Sequence, residues 1–325
     1  MAAIDEGLGP DELRLARPRV ARGARVTPLL PSDLLTARLG RPVALKCENL
    51  QAGGAFKIRG ATNFVACLDA EARARGLITY SSGNHAIALA LAAKRAGVPA
   101  VVVMPETAPA IKRERVRDLG AEIHLCGTTS LERHARASAL AEERGLTMVP
   151  PFDHPFIVAG QSTCGVEILE QMPDAAVVIV PVGGGGLLAG IALACAYHKR
   201  GVKVIGVEPK GAAKMSSSLA AHAPVTLPSV ASIADGLLPS RPGDLTFAVA
   251  QRYVHEVVTV EEEAIADAAR RLLLEERLLV EWSGSVGVAA LLSGVLRLAG
   301  PAAVVLSGGN VDPARLLDAR TVPAV

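Results

Sequence analysis

The sequence predicts an α/β fold with parallel-rich sheets. Three observations carry that reading. Short apolar runs alternate with helix-like segments through most of the chain, as parallel sheets joined by right-handed crossovers require. Residues 177–180 form a valine-rich run of the kind found in strands buried on both faces. Three strands run into turns of small residues, at 81–84, 183–186 and 307–310.

At 325 residues the chain has room for one large or two ordinary domains, and half of its residues are apolar, enough for a sizeable core. The net charge is +2 and the charges are scattered. No basic stripe interleaved with aromatics occurs, so nucleic acid is not expected as a partner. The five cysteines, Cys47, Cys67, Cys126, Cys164 and Cys195, are odd in number and far apart. With no Cys-x-x-Cys and no His-Glu-x-x-His, structural zinc and a disulfide framework are both disfavoured. Buried, reduced thiols in a cytoplasmic protein are the expectation. Asp5 and Glu6 with no apolar run behind them do not make a secretory signal. Residues 175–197 carry no charge and are long enough to span a bilayer. Pro181 and the glycines at 183–186 interrupt them, so a strand, a turn and a buried helix are expected, with no membrane span.

In order, residues 1–25 read as loosely organised Arg-rich helical pieces, and Thr27, Pro28 and Leu29 as an extended entry. Residues 43–47 read as a strand, 48–54 as a loop, and 61–68 as a helix just after Lys57. A strand at 77–80, a turn at 81–84 and a helix at 85–96 closed by Gly97 follow. The next units are strand 100–104, helix 110–119 stopped by Gly120, strand 121–125 and helix 131–144. The proline-rich stretch 149–156 reads as a boundary. Beyond it come helix 161–171, strand 177–180, helix 187–199 and strand 202–207. Residues 211–243 read mostly as loop broken by short helices. Helices at 261–276 and 287–298 precede a last strand at 302–306.

The chemistry centres on Gly54-Ala55-Phe56-Lys57-Ile58-Arg59-Gly60-Ala61. A lysine at a helix start is electrostatically misplaced, because that end of the helix dipole is positive. Lys57 is therefore either a solvated surface charge or a lysine kept neutral by covalent chemistry. In open α/β sheets ligands bind outside the carboxyl ends of the strands, where the three small-residue turns lie. Gly183, Gly184, Gly185 and Gly186 let backbone amides approach an anion, with a helix dipole behind them. Ser82 or Asn84 fits a helix cap, and the same turn offers amides to a carboxylate. A different class competes: Gly184 to Ala189 fits a dinucleotide fingerprint, and Glu208 ends the next strand where an acid would bind a ribose. That NAD-binding oxidoreductase reading leaves Lys57 and the turns at 81–84 and 307–310 unexplained.

Together, Phe56-Lys57-Ile58-Arg59-Gly60-Ala61, Ser81-Ser82-Gly83-Asn84-His85, Pro181-Val182-Gly183-Gly184-Gly185-Gly186 and Ser307-Gly308-Gly309-Asn310 resemble the serine/threonine dehydratase family, which includes serine racemases. The match runs from about Thr27 to Asp312. His85-Ala86 after Asn84 is closer to the dehydratases than to cysteine synthases, which carry Thr-Gly there. The resemblance implies the two-domain architecture of fold-type II, tryptophan synthase β-like pyridoxal-phosphate enzymes. Residues 1–66 and 154–325 would form a discontinuous large domain, and 67–153 a small mobile one.

It also implies roles. Lys57 would carry pyridoxal 5'-phosphate as a Schiff base, which resolves its misplaced charge. Phe56 would flank the ring, Asn84 would bond the ring hydroxyl, and Ser307 would face the ring nitrogen without holding it protonated. Gly183, Gly184, Gly185, Gly186 and the amide of Leu187 would hold the phosphate. Ser81, Ser82, Gly83, Asn84 and His85 would receive the substrate carboxylate. Lys57 and Ser82 would be the catalytic pair, with Lys57 taking the α-proton and Ser82 serving the opposite face as in racemases, unless Ser82 is only a cap. The implied reaction is β-elimination from a β-hydroxy amino acid, L-threonine or L-serine first, to a 2-oxo acid and ammonia. Racemisation, or a substrate such as hydroxyaspartate, a phenylserine or a hydroxyectoine-derived amino acid, stays open. A small-molecule substrate, a homodimer and a cytoplasmic location follow from the same likeness.

Departures from the family pattern matter. Ala55 stands where serine is common, so one hydroxyl near the phosphate is lost, and Trp282 stands where proline is usual, a bulky ring that could reshape the pocket and leaves the substrate's identity open. Arg59 is assigned no chemistry. No regulatory domain is expected after Asp312, nor feedback inhibition by isoleucine. The family's divalent-ion site would fall on Glu208, the carbonyl of Ala212 and Lys214. An ammonium has no oxygen to give a hard cation, so no metal is expected. Either Lys214 lies near Glu208 as an internal cation, or it is a solvated surface lysine.

Overall fold

A computed structural model describes residues 7–81, 83–108, 110–199 and 201–318. The chain opens with α1 (Pro10–Val20), β1 (Leu29–Pro31), α2 (Asp33–Leu39) and β2 (Val43–Cys47). Then come α3 (Lys57–Cys67), α4 (Ala70–Arg75), β3 (Leu77–Tyr80), α5 (Asn84–Ala96), β4 (Ala100–Met104) and α6 (Ala110–Asp118). The middle holds β5 (Glu122–Leu125), α7 (Ser130–Arg144), β6 (Thr147–Met148), α8 (Pro155–Gln171), β7 (Val177–Pro181) and α9 (Gly186–His198). Last are β8 (Lys203–Pro209), α10 (Lys214–Ala221), α11 (Asp244–Tyr253), β9 (Glu256–Val260), α12 (Glu262–Leu274), α13 (Trp282–Leu292), β10 (Ala302–Leu306) and α14 (Pro313–Leu317).

Two sheets result. One has the order β1-β2-β10-β7-β8-β9, parallel throughout except for β1 on β2. The other, β5-β4-β3-β6, is wholly parallel. The central strands β7 and β10 are buried along their whole length. Helices therefore cover both faces, and the apolar residues divide into cores on either side of the larger sheet. The fold is the predicted α/β class with parallel-rich sheets.

Several boundaries differ from the sequence reading. Helix α8 starts at Pro155, not 161, because proline at a first helical position loses no bond and His154 Nδ1 accepts the amide of Phe156 at 3.1 Å. Helix α13 begins at Trp282, five residues before the expected start, and ends at Leu292. The uncharged stretch resolves into β7, the glycine turn and α9, and no helix among the described residues is long and apolar enough to cross a membrane. All five cysteines are free, but only Cys47, Cys164 and Cys195 are buried; Cys67 and Cys126 are half-buried.

What aims Lys57 is the packing of α3. A Cβ on Gly160 would lie 2.6 Å from the Cα of Gly60, so α3 and α8 meet backbone to backbone. Two residues beyond Lys57, Arg59 is fully buried and grips two carboxylates. Its Nε and Nη2 donate to Glu48 at 2.7 Å each, and its Nη1 donates to Glu167 at 2.6 Å. Lys46 Nζ donates to the same Glu167 at 2.6 Å. Burial works against the charge on Arg59, yet Glu48 and Glu167 hold its pKa well above the ordinary value. Arg59 thus pins the first turn of α3, in keeping with the absence of any chemistry assigned to it.

Candidate active site

The loops at the carboxyl ends of the strands are tied to one another. The amide of Phe56 donates to the carbonyl of Ser307 at 3.1 Å, and that of Gly309 to Gly54 at 2.9 Å. Asn310 Nδ2 donates to the carbonyl of Gly53 and to Asn84 Oδ1, both at 2.8 Å. Segments 53–57, 84 and 307–310 therefore form one unit.

Lys57 is the first residue of α3. Its Nζ donates to the carbonyl of Pro151 at 2.6 Å and lies 5.2 Å from the centre of the Phe56 ring. Burial, with no carboxylate to offset it, pushes the amine down to about 8. Lys57 is half-buried and its amine is held by a backbone carbonyl, which disfavours the solvated surface charge.

Pro151 leads to the glycine turn through its neighbour. A Cβ on Gly184 would lie 2.3 Å from the Phe152 ring, and Gly185 has a φ of +98°, so neither position accepts a side chain. The carbonyl of Gly184 accepts the Thr246 hydroxyl at 2.7 Å and the Gly243 amide at 3.3 Å. The amides of Gly183, Gly184, Gly185, Gly186 and Leu187 donate to no acceptor among the described residues, and Gly185 caps α9 without any side-chain bond. Unpaired amides at the positive end of a helix, lined by residues that must be glycine, fit a phosphate group. Pro151 and Phe152 were read in the sequence only as part of a boundary.

The asparagine turn departs from one expectation. Helix α5 starts at Asn84 with Gly83 as its cap residue and no side-chain cap, so Asn84 is not the cap. Instead Asn84 Nδ2 donates to Glu281 at 2.6 Å, leaving its second amide hydrogen free. The Gly83 amide donates to Ser81 Oγ at 3.3 Å. Ser82 lies outside the described residues. His85 is turned inward: its Nε2 is 3.1 Å from the carbonyl of Val149, and burial with the charge of Lys57 nearby lowers its pKa to about 3. Only the backbone of His85 is open to a ligand. Ser307 is buried, its hydroxyl 3.5 Å from the carbonyl of Ser283.

Glu281, which the sequence reading passed over, is buried behind Asn84. Burial and the nearby charge of Asp235 raise its carboxyl to about 8, against the Asn84 bond. A carboxyl raised this way binds a proton in the native chain that the unfolded chain has released. Between the ordinary value near 4.5 and 8, stability therefore falls as pH rises. Glu281→Gln keeps the neutral shape, so thermal unfolding from pH 5 to 8.5 should lose that decline, which amounts to about 3–5 kcal/mol in the wild type. Equal pH slopes in both proteins would refute the assignment.

The packing also places two residues singled out in the sequence. Trp282 is buried in the core on one face of the larger sheet, with the Arg315 guanidinium 4.9 Å from its ring centre. Lys214 and Glu208 are both fully buried and 3.1 Å apart. Glu208 also accepts the amides of Met215 and Ser216 at 2.9 Å each. It is thus engaged by α10 and by Lys214, which removes the ribose acid from the NAD reading. Lys214 is the internal cation, not a surface lysine.

The pattern of the family described as pyridoxal-phosphate dependent enzyme matches residues 20–308. An L-threonine ammonia-lyase of Geobacter sulfurreducens is 46% identical over 295 residues, 90% of this chain and 73% of that protein. Maize serine racemase has a solved structure that matches with a TM-score of 0.92 at 38% identity over 96% of each chain. The processed form of threonine deaminase isoform 2 from Solanum lycopersicum matches with a TM-score of 0.89 at 38% identity, covering 96% of this chain and 93% of that one. With the lysine, the glycine cradle and the asparagine turn assembled and most of the length matched, the chain belongs to the family of pyridoxal-phosphate dependent enzymes.

Proposed function

We propose that this chain is a pyridoxal-phosphate dependent ammonia-lyase that dehydrates L-threonine and L-serine to the 2-oxo acid and ammonia. The observation that carries the reading is the amine of Lys57, lowered to about 8 and tied through Pro151 and Phe152 to a cradle of unpaired amides. The similarity to an L-threonine ammonia-lyase supports the substrate class.

In this reading Gly183, Gly184, Gly185, Gly186 and the Leu187 amide hold the phosphate. Phe56 would flank the ring, Asn84 would give its free amide hydrogen to the ring hydroxyl, and Ser307 would face the ring nitrogen. When bound, pyridoxal phosphate withdraws electrons from the substrate Cα and so acidifies its C–H bond. The Lys57 amine takes that proton, and an amine near 8 is well matched to the task around neutral pH. Ser81, Ser82, Gly83, Asn84 and His85 present the turn that receives the carboxylate, where the amides of Asn84 and His85 are open. The β-hydroxyl departs as water, taking up a proton equivalent to the one lost from Cα, and hydrolysis of the resulting enamine gives the 2-oxo acid and ammonia. The test is 2-oxo acid release across β-hydroxy amino acids of both stereochemistries, including hydroxyaspartate, a phenylserine and a hydroxyectoine-derived one. L-threonine and L-serine should give the highest kcat/KM; release from another member alone would replace the substrate.

The likeness to maize serine racemase favours a second activity at the same site. A racemase needs a proton donor on the face opposite Lys57, and Ser82 is the proposed one. Ser82→Ala should abolish formation of D-serine, followed by chiral chromatography, while elimination continues. Unchanged racemisation would remove Ser82 from the mechanism.

We infer the two-domain division at 66/67 and 153/154 from the separation of the sheets. The four-stranded sheet uses only residues 77–148, and the six-stranded one only 29–47 and 177–306. A homodimer is inferred from the family, and a cytoplasmic location from the free thiols.

A further inference from the structure

Away from the lysine, a cavity of about 230 Å³ opens between α3, α5 and the segment after α1. Arg22, Arg73 and Arg95 line it. Among the described residues none of the three forms an ion pair. Arg73 Nη2 donates to the carbonyl of Ala66 at 3.1 Å, Arg95 donates to that of Gly23, and Arg73 Nε is buried with no partner. Neighbouring acids are engaged elsewhere. Glu12 pairs with Arg19 at 2.6 Å, Glu71 with Arg75 at 2.5 Å, and Asp69 accepts the Ala72 amide at 2.7 Å.

A second, independent feature lies in the same wall. Thr62 is 8% exposed and its hydroxyl has no hydrogen-bond partner. It faces Gly23, where a Cβ would come within 2.5 Å of the hydroxyl oxygen. Buried hydroxyls and guanidinium nitrogens are normally satisfied. Both atoms, the Thr62 hydroxyl and Arg73 Nε, are too enclosed to meet a ligand, and it is the three guanidinium groups, none in an ion pair among the described residues, that suit the cavity to an anion rich in acceptor oxygens. Guanidinium groups match the geometry of phosphate oxygens, and the cavity admits a group larger than one water.

We propose that this cavity binds a small phosphate-bearing anion, held by the guanidinium groups of Arg22, Arg73 and Arg95. It is separate from the cradle at Gly183, Gly184, Gly185 and Gly186, and its recognition does not depend on the reaction proposed above. Its walls are the carboxyl-terminal halves of α3 and α5, the helices that begin at Lys57 and Asn84. A ligand there bridges two helices that carry the reacting end of the molecule.

Equilibrium dialysis of the holoenzyme, its own phosphate cradle filled, against radiolabelled pyrophosphate and against ADP tests the site. Saturable binding of at least one probe is expected, and tighter binding of ADP would mark a nucleotide as the source of the phosphate. Arg22→Gln and Arg95→Gln change exposed residues and leave the fold and the 2-oxo acid assay as controls. At least one should weaken binding by about tenfold or more, the loss of one charge-assisted contact. No saturable binding by the wild-type holoenzyme, or a smaller change in both variants, would overturn the proposal.

Discussion

Lys57→Ala is expected to abolish turnover and leave the fold intact. The loss should be about a thousandfold or more, because the substitution removes the cofactor's attachment point and the group that takes the α-proton. Stability should change by no more than about 1 kcal/mol. In the cofactor-free protein the variant gives up one hydrogen bond to Pro151, but it also removes a half-buried amine from the positive end of α3, where a cation is disfavoured. Lys57→Arg should be equally inactive, since a guanidinium keeps its proton. Release of 2-oxo acid, read beside thermal unfolding, separates a chemical loss from a folding one. Ordinary rates in either variant would mean that another lysine does the chemistry.

The second large effect belongs to Lys214. Its Nζ lies 2.8 Å from the carbonyl of Val182, 2.9 Å from Leu237, 3.1 Å from Ala212 and 3.1 Å from Glu208 Oε1. Val182 immediately precedes the glycine cradle, so the ammonium ties the base of the cradle to α10 and to the loop at 237. Burial lowers the pKa of Lys214 against the pull of Glu208. Removing one partner of a buried ion pair costs about 3–5 kcal/mol, because the other charge stays buried alone. The amides of Met215 and Ser216 still hold Glu208 in Lys214→Ala, which places the loss toward the lower end. The melting temperature should fall by roughly 6 °C or more. The vacated oxygens suit a hard cation, so Mg²⁺ or Ca²⁺ should restore part of the loss. Wild-type activity should survive a chelator. An unshifted melting temperature in Lys214→Ala, or wild-type activity lost in chelator and restored by Mg²⁺, would contradict the internal-cation account.

The strands were legible where they were long, apolar and central. β10 and β2 match their expected bounds because both are buried throughout. β9 was missed because it is a half-exposed edge strand, and β6 because it is only two residues long; β1, three residues long, was read only as an extended entry at 27–29. The start of α13 was hidden by Gly284 and Gly287, which weaken a helical pattern. A Cβ on Gly287 would lie 2.8 Å from Val304, so the helix needs a glycine to rest on β10. At the site, Lys57, the glycine turn and the asparagine turn were readable because each has a local pattern. Pro151, Phe152 and Glu281 have none. They act through contacts between segments far apart in sequence, as when Asn84 meets Glu281. Lys214 fell between these cases: its partner Glu208 was identified in the sequence, but only the packing shows that the pair is buried.

The measurement that tests the central claim most directly is the site of cofactor attachment. Purified protein is reduced with borohydride, digested, and its peptides are weighed by mass spectrometry. Yellow protein that retains the cofactor's mass on the peptide containing Lys57 is the expected result. A colourless protein that binds NAD(H) tightly, or a label carried by a different lysine, would contradict it.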